Sequence, residues 1–300
     1  MQQSSGAEKP SRAILLALKP RLDASLLAVL ILAATPIGNL SDASTRLVQA
    51  IQTSDYIACE DTRSFKQLAS ALGVKFHARL FSLHDHNEHS RLQELVEIAR
   101  NHDLLVVSDA GMPTISDPGF NLVRACIESE VEITIIPGPS SVLSALAISG
   151  LPTDRFVFEG FLARKSGERK ATFEKLATED RTMVFFEAPH RILESLQDAA
   201  TVFGDSHRAV VVRELTKKFE QVTRGTLSEL IEWAKGEPKG EMVLLLAGVQ
   251  AGPADYDELA KKALSLAESG MGLKKAVAEI AESSKASKSV IYEHALRLKP

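Results

Sequence analysis

The sequence predicts an α/β protein with two α/β domains, a cleft between them, and a small C-terminal helical segment. Short apolar runs alternate with segments whose apolar residues recur at helical spacing, which is typical of mainly parallel sheets covered by helices. This alternation restarts after the turn-forming stretch Ser-Gly-Leu-Pro at 149–152. A length of 300 residues is ample for two domains.

The composition is that of an ordinary globular protein, with 45% hydrophobic and 25% charged residues. A net charge of −4 shows no global preference for nucleic acid, so an RNA partner would need a local basic patch. The two cysteines, Cys59 and Cys126, have no metal or redox spacing. We therefore expect reduced core thiols in a cytoplasmic protein.

Residues 1–25 are interpreted as an N-terminal extension, and the sequence leaves open whether it is ordered or precedes the true start. The apolar run that follows, residues 26–34, is too short to span a bilayer. A signal peptide could have a core of that length. Because the run continues directly into ATPIGNL, we interpret it as the first buried strand.

The first predicted domain covers residues 26–150 and holds four buried strands. Each is a short apolar run, and helical periodicity separates the runs. A helix that contains Phe65 and Leu68 is predicted to stop at Gly73, because glycine is the usual residue just past a helix. The predicted strands are residues 27–33, 56–59, 104–108 and 133–136.

The second predicted domain covers residues 151–250, where strands again alternate with helices. Clefts at domain interfaces are common small-molecule sites, so we expect a ligand between the two domains. The predicted strands are residues 156–158, 183–186, 209–212 and 242–246.

The last predicted segment, residues 253–300, consists of three short helices at 256–269, 273–283 and 287–298, and the last two have helix-turn-helix proportions. It is locally basic, so it either contacts RNA phosphates or is a solvated tail that packs on the core. The basic residues are Lys274, Lys275, Lys285, Lys288 and Arg297.

The stretch SDAGMPTISDPG at 108–119 is the strongest local signal. It follows an apolar run and precedes a helical pattern, yet it is longer and richer in glycine and proline than a strand-to-helix loop requires. Glycine allows close approach of a backbone to a ligand, and proline stiffens the remainder. Because ligands bind at the carboxyl ends of strands in open α/β sheets, we interpret it as a ligand loop.

A second loop, IPGPSS at 136–141, places two serines near the start of a predicted helix. They either cap that helix or meet a ligand. His84, His86 and His89 in HDHNEH match no zinc spacing, so no metal is expected.

Six motifs in one order resemble the bacterial ribosomal RNA small subunit methyltransferase I family, ribose 2′-O-methyltransferases of the tetrapyrrole methylase superfamily. The resemblance covers about residues 28–248, and the C-terminal segment resembles that family's helix-turn-helix appendix. The motifs are ATPIGNL at 34–40, EDTR at 60–63, SDAGMPTISDPG at 108–119, IPGPSS at 136–141, FFEAPHRI at 185–192 and RELTKKFE at 213–220.

The resemblance implies a homodimer that binds S-adenosyl-L-methionine between its two domains. It also implies methylation of a cytidine ribose in the decoding centre of 16S rRNA, within the small ribosomal subunit. The implied cofactor residues are Pro36, Gly111, Met112, Pro113, Ser140, Ser141, Phe186, Glu187, Leu215 and Met242.

The ribose hydroxyl is a weak nucleophile and would gain from a general base. Asp61, with Arg63 and Glu60 beside it, is the preferred candidate, although the Asp–Arg pair could equally be a structural ion pair. Glu187 and His190 are the other candidate bases.

A basic patch in the second domain is predicted to contact RNA phosphates. Without the resemblance, the same patch reads equally well as a solvated helix start. Its residues are Arg164, Lys165, Arg169, Lys170 and Arg191.

Two other functions stay open at this point. One is another methylase of the same fold, acting on a tetrapyrrole or in diphthine synthesis. The other is a non-catalytic RNA-binding ribosome-assembly factor that keeps the fold.

Overall fold

A computed structural model describes residues 28–84, 87–249, 256–284 and 286–299. The chain divides into two compact units, which are described separately below. The first comprises residues up to Ile148 together with Val212–Val222, and the second comprises Ser149–Val211 and the residues from Thr223 onward. The predicted N-terminal extension lies outside the described residues, and the predicted domain bounds stay predictions.

The first unit contains a five-stranded sheet in the order β3-β2-β4-β1-β5. Each neighbouring pair is parallel. This confirms the mainly parallel sheet predicted from the alternating pattern. The strands are β1 (Val29–Ala33), β2 (Tyr56–Cys59), β3 (Arg79–Ser82), β4 (Leu104–Val107) and β5 (Glu132–Ile136).

Both faces of this sheet are buried, which explains why its central strands are continuously apolar. Along β4, Leu104 and Val106 belong to one hydrophobic cluster, whereas Leu105 and Val107 belong to the cluster on the opposite face. Five helices accompany the sheet: α1 (Thr45–Thr53), α2 (Thr62–Ala71), α3 (Glu88–Asn101), α4 (Phe120–Glu128) and α5 (Ser141–Ser149).

Helix α2 ends as predicted. Leu72 is its last partly helical residue, and Gly73 follows with a left-handed φ of 67°. By contrast, the sequence interpretation missed β3, a four-residue strand at the edge of the sheet that carries two apolar residues.

The second unit contains a mixed sheet in the order β6-β7-β10-β8-β9. β6 and β7 are parallel, with a bulge between Phe158 and Phe161, and β7 and β10 are antiparallel. The strands are β6 (Phe156–Phe161), β7 (Thr182–Glu187), β8 (Arg208–Arg213), β9 (Gln221–Thr226) and β10 (Met242–Leu246).

Helices separate the four predicted strands of this unit, as expected, but the structure adds β9, which follows β8 directly. Strand β9 was missed because its sequence, QVTRGT, is largely polar and lies at the sheet edge. The helices are α6 (Ser166–Lys175), α7 (Ile192–Phe203) and α8 (Leu227–Ala234).

The C-terminal helices pack around a small core of their own, centred on Ala263, Val277 and Ile291. The predicted helices agree with α9 (Tyr256–Glu268), α10 (Leu273–Ser284) and α11 (Lys288–Leu298) to within one residue at each end. Lys285 lies outside the described residues. Within the described ranges, every helix is too short or too polar to cross a bilayer.

Candidate functional site

The parallel register of the first sheet brings the ends of its strands side by side. Ala33 at the end of β1 lies opposite Val107 of β4 and Ile136 of β5, and Cys59 of β2 also lies opposite Val107. The loops that follow these four strands therefore emerge at one edge, where open α/β sheets bind ligands. They are the loops that carry ATPIGNL, EDTR, SDAGMPTISDPG and IPGPSS.

The first and third of these loops are joined by a pair of backbone hydrogen bonds. Thr35 N donates to Gly111 O at 2.9 Å, and Gly111 N donates to Thr35 O at 3.2 Å. The buried Thr35 hydroxyl also donates to Ser108 O, and Ser108 Oγ donates to Gly111 O, both at 3.2 Å. The start of the long loop is therefore fixed by two hydroxyls that the sequence interpretation did not single out. The available signal was that Thr35 directly precedes Pro36 and that Ser108 is the first residue of the predicted ligand loop.

The long loop holds two non-glycine residues in the left-handed region, Thr114 with φ 74° and Ser116 with φ 61°. Such a conformation costs an L-residue roughly 1–2 kcal/mol. The surroundings therefore hold the loop in a strained shape, and its role as a ligand loop stays a prediction.

The predicted cofactor positions of the first unit surround Gly111. A side chain added at Gly111 would place its Cβ 3.4 Å from Ile37 Cγ2 and 3.9 Å from Pro139 O. Pro36 and Pro113 are buried, and Met112 is half-buried beside them in the chain. The side chains around Gly111 are therefore mostly apolar and largely buried.

The two serines of IPGPSS differ in their positions relative to α5. Ser140 Oγ accepts a hydrogen bond from Leu143 N at 3.4 Å, which is a long cap contact. Ser141 is the first residue of the helix. Ser140 therefore makes the capping contact with α5 that was one of the two interpretations. Both serines remain predicted cofactor residues.

Asp61 and Arg63 form an ion pair at the same edge. Arg63 Nη2 lies 2.7 Å from Asp61 Oδ2, and the backbone N of Arg63 donates to Asp61 Oδ1 at 2.7 Å, so Asp61 also caps α2. The Arg63 hydrogen bonds lower the pKa of Asp61 to about 2. Asp61 N in turn donates to Asp109 Oδ1 at 3.3 Å, which joins this loop to the long loop.

A carboxylate with so low a pKa is a weak base at neutral pH. The geometry therefore displays the ion pair and helix cap that were the alternative to a catalytic base. The Arg63 side chain is 86% exposed, so the pair is accessible to a partner. Glu60 precedes Asp61 at the end of β2, and its backbone oxygen accepts from Ser82 Oγ at 3.5 Å.

The predicted cofactor residues of the second unit lie together on β7 and β10. Met242 is paired with Glu187, and the ring of Phe186 packs against Phe158 and Phe161 at centroid distances of 4.9 and 5.2 Å. Met242 is buried.

The carboxylate of Glu187 corrects the expectation of an acid that is free to meet a cationic ligand or to act as a base. It is fully buried and accepts hydrogen bonds from Ser195 Oγ and Ala188 N, and Arg191 Nη2 lies 2.5 Å away. These partners hold it inside the second unit. The other candidate base, His190, is exposed.

The sequence matches the family of tetrapyrrole (corrin/porphyrin) methylases over residues 29–231. The chain belongs to the tetrapyrrole methylase family. Ribosomal RNA small subunit methyltransferase I of Mycobacterium tuberculosis is 46% identical over 253 residues, which are 84% of this chain and 88% of that protein. The protein of the same name from Escherichia coli is 41% identical over 266 residues, 87% of this chain and 92% of that one.

Solved structures support the fold of this methylase. Diphthine synthase superposes with a TM-score of 0.55 at 17% identity, covering 73% of this chain and 89% of that one. The cobalamin biosynthetic enzyme cobalt precorrin-4 methyltransferase gives 0.54 at 18% identity, covering 76% and 97%.

The basic patch of this methylase is smaller than predicted. Arg169 is only 1% exposed and lies 2.8 Å from Asp198 and 3.1 Å from Glu194, while Nη1 donates to two backbone oxygens. Arg191 forms an ion pair with Glu187, and its Nη1 donates a hydrogen bond to Leu162 O at 3.2 Å.

Arg169 and Arg191 are therefore corrected from phosphate ligands to internal structural cations, because Arg169 is buried and the Arg191 side chain is only 14% exposed, each beside a carboxylate. Lys170 is half-buried and 3.6 Å from Asp198. Arg164 and Lys165 remain exposed.

Leu215 of the methylase is buried within the 212–222 segment of the first unit. In that segment the Lys217 side chain covers Gly38 so closely that a Cβ there would lie 2.5 Å from Lys217 Cγ. The first loop and the RELTKKFE motif are thereby brought together.

Neither cysteine of the methylase takes part in the site. Cys59 and Cys126 are buried free thiols, and burial raises the pKa of Cys59 to about 12 and that of Cys126 to about 11. Across the described ranges, histidine, cysteine and acidic residues form no group that could hold a metal ion. His86 and Asp85 of HDHNEH lie outside those ranges.

Proposed function

We propose that this methylase transfers a methyl group from S-adenosylmethionine to the ribose 2′-hydroxyl of a cytidine in the decoding centre of 16S rRNA, in the cytoplasm. The curated relatives, 41–46% identical over most of their length, carry the name of small-subunit rRNA methyltransferases. The observation that carries the proposal is the edge of the first sheet, where the EDTR loop is hydrogen-bonded to the strained glycine-proline loop.

The residues at this edge fit S-adenosylmethionine in kind. Ile37, Met112 and Pro113 supply apolar surface for an adenine ring, and Ser140 and Ser141 supply hydroxyls for its polar groups. When bound, the donor supplies a methyl group already activated by the sulfonium charge. The protein then needs to align the acceptor oxygen with it, which is the kind of positioning that a rigid, strained loop provides.

The Asp61–Arg63 pair lies beside this loop and is assigned to the acceptor. The exposed Arg63 guanidinium suits an RNA phosphate, to which it can present the same fork that it presents to Asp61. As Arg63 turns to the phosphate, Asp61 loses the side-chain hydrogen bonds from Arg63, which are the largest cause of its low pKa, while it keeps those from the backbone, and it becomes a better proton acceptor. Asp61 would then accept the proton of the 2′-hydroxyl as its oxygen bonds to the methyl carbon and the methyl–sulfur bond of the donor breaks, which would release S-adenosylhomocysteine.

The RNA is proposed to contact Arg164, Lys165 and the C-terminal helices. A surface pocket of about 540 Å³ in those helices is lined by two lysines, two serines and a tyrosine, which are groups that donate hydrogen bonds to phosphate oxygens. The lining residues are Lys274, Ser287, Lys288, Ser289 and Tyr292.

The homodimer is proposed to form through the first unit. Helix α4 exposes Phe120 and Ile127, each 62% accessible and seven residues apart, which places them on one face. Leu143 of α5 is also exposed. Exposed apolar surface of this kind marks an interface with a protein partner. Analytical ultracentrifugation should therefore give the mass of two chains, and a monomer at micromolar concentration would contradict the proposal.

Methyl transfer to ribosomal particles tests the proposed function. Purified protein with tritiated S-adenosylmethionine should label small ribosomal subunits from a bacterial strain whose own ribosomal RNA small subunit methyltransferase I has been deleted. It should leave large subunits unlabelled. Absence of label on any ribosomal substrate would overturn the proposal. A protein that failed even to bind S-adenosylmethionine in calorimetry would be a non-catalytic member of the fold.

A further inference from the structure

The far end of the long loop is held by a buried acid from another helix. Glu88 is the first residue of α3, and its side chain reaches the start of α4. Its Oε1 accepts hydrogen bonds from the backbone N of Gly119 at 3.2 Å, of Asn121 at 3.0 Å and of Leu122 at 3.2 Å. Its Oε2 accepts from Asn121 Nδ2 at 2.9 Å.

This carboxylate replaces a cap that α4 lacks. The residue at the N-cap position is Gly119, which has a left-handed φ of 114° and no side chain. The first N–H groups of a helix have no partner inside the helix and favour a negative charge. Glu88 satisfies them from outside the helix.

Glu88 therefore completes a two-point attachment of the long loop. The Thr35 and Ser108 hydrogen bonds fix its start at Gly111, and Glu88 fixes its end at Gly119. The strained Thr114 lies between these points. A segment that carries strain keeps its shape only while the surroundings hold both of its ends.

The polar run HDHNEH has a role in this attachment. Asn87 Oδ1 accepts from His84 N at 2.9 Å, and Asn87 Nδ2 donates to Ser82 O at 3.1 Å. These bonds fix the turn that leads from β3 into α3, and Glu88 is the next residue. The run HDHNEH, at which no metal is expected, thus directs an acid toward the loop.

We propose that Glu88 is a positioning residue that sets the affinity for the methyl donor by holding the long loop in its binding shape. This inference rests on the proposed function, because it takes the loop to be the S-adenosylmethionine site. Glu88 acts through the loop backbone and takes no part in the chemical step.

A donor–acceptor exchange tests the proposal. In Glu88→Gln the negative charge that faces three backbone N–H groups is lost, and the new amide nitrogen meets Asn121 Nδ2 until the Asn121 amide turns over, so the loop end loosens. Adding Asn121→Asp places a carboxylate acceptor opposite the amide nitrogen of Gln at position 88, so the double variant should recover the ordered loop end and the donor affinity. Asn121→Asp alone places two carboxylates next to each other and should loosen the loop end. Glu97→Gln is the matched control, because Glu97 is an exposed acid on the same helix.

Two readouts are measured at a temperature at which circular dichroism shows every variant folded. Without ligand, amide hydrogen exchange of residues 111–122 should be faster in Glu88→Gln and normal in the double variant and in Glu97→Gln. In calorimetry, Glu88→Gln should bind S-adenosylmethionine about tenfold more weakly, the effect of one lost hydrogen bond to a charged group. Turnover at saturating donor should change much less, because the alignment is regained once the donor is bound.

Unchanged exchange at residues 111–122 in Glu88→Gln would overturn the attachment. Faster exchange with unchanged donor affinity would overturn the positioning role, as would a double variant that does not recover. Failure of the unaltered protein to bind S-adenosylmethionine would instead overturn the proposed function, and the exchange data would still decide the attachment.

Discussion

Replacing Gly111 by alanine tests whether the long loop, residues 108–119, binds the methyl donor or has only a structural role. Gly111 has φ 85°, and an added Cβ would lie 3.4 Å from Ile37 Cγ2, an ordinary contact. The cost of Gly111→Ala is therefore conformational, about 1–2 kcal/mol for an L-residue in the left-handed region. The backbone relieves this strain by moving the loop, and the predicted cofactor contacts move with it.

Gly73→Ala is the matched control. Gly73 has φ 67°, and a Cβ there would meet nothing within 4 Å. The conformational cost is the same, but Gly73 follows α2 and has no predicted role in binding. Both variants should lose a similar free energy of unfolding, about 1–2 kcal/mol.

Calorimetry with S-adenosylmethionine distinguishes the two variants, and denaturant titration measures their free energies of unfolding. Gly111→Ala should bind the donor about tenfold more weakly if restoring the loop conformation costs about 1.4 kcal/mol of the binding free energy. Gly111→Val should bind more weakly still, because a branched side chain is strained further at positive φ. Gly73→Ala should bind as the parent does. Parental affinity in Gly111→Ala, with stability lowered as in Gly73→Ala, would refute the loop's role.

Further predictions concern the site and its surroundings. Asp61→Asn and Arg63→Ala should lower turnover with little change in donor affinity by calorimetry. Because the pKa of Asp61 is lowered to about 2, its stabilising contribution persists above its ordinary pKa and is lost only as the pH falls through about 2. Its ionisation should therefore produce no step in donor affinity from about pH 5 to about pH 9. Arg169→Met should lower the free energy of unfolding by about 3–5 kcal/mol, because it leaves the Asp198 carboxylate without its buried partner. Arg164→Ala should leave the free energy of unfolding unchanged. It should reduce the slope of log affinity for RNA against log salt concentration by about 0.7–0.9. Removal of residues 253–300 should likewise reduce that salt dependence in a fluorescence titration, and equal slopes would show that this segment makes no phosphate contacts.

The sequence predicts the parallel sheet well because both of its faces are buried. Leu104 to Val107 is wholly apolar, so the strand is visible without knowing its neighbours. The end of α2 is equally visible, since Gly73 adopts the conformation that ends a helix. Two of the four edge strands are harder to predict. The strands β3 and β9 have one neighbour each and carry few apolar residues, so periodicity does not reveal them.

The site residues divide along a similar line. The positions of the motifs directly after predicted strands indicate which loops meet at the sheet edge, because the carboxyl ends of parallel strands lie at the same edge. It does not reveal that Arg169 is buried, since its partner Asp198 lies 29 residues away on another helix. Glu88 was missed for the same reason: its partners begin 31 residues later in the chain.

The position of the transferred methyl group tests the central claim most directly. Small-subunit rRNA methylated in vitro can be digested to nucleosides and analysed by mass spectrometry, with an unmethylated sample as the control. The proposal predicts one new nucleoside, a cytidine methylated on the ribose 2′-oxygen, mapped by nuclease protection to the decoding centre. A methyl group on a base, or on a ribose other than that of cytidine, would contradict it.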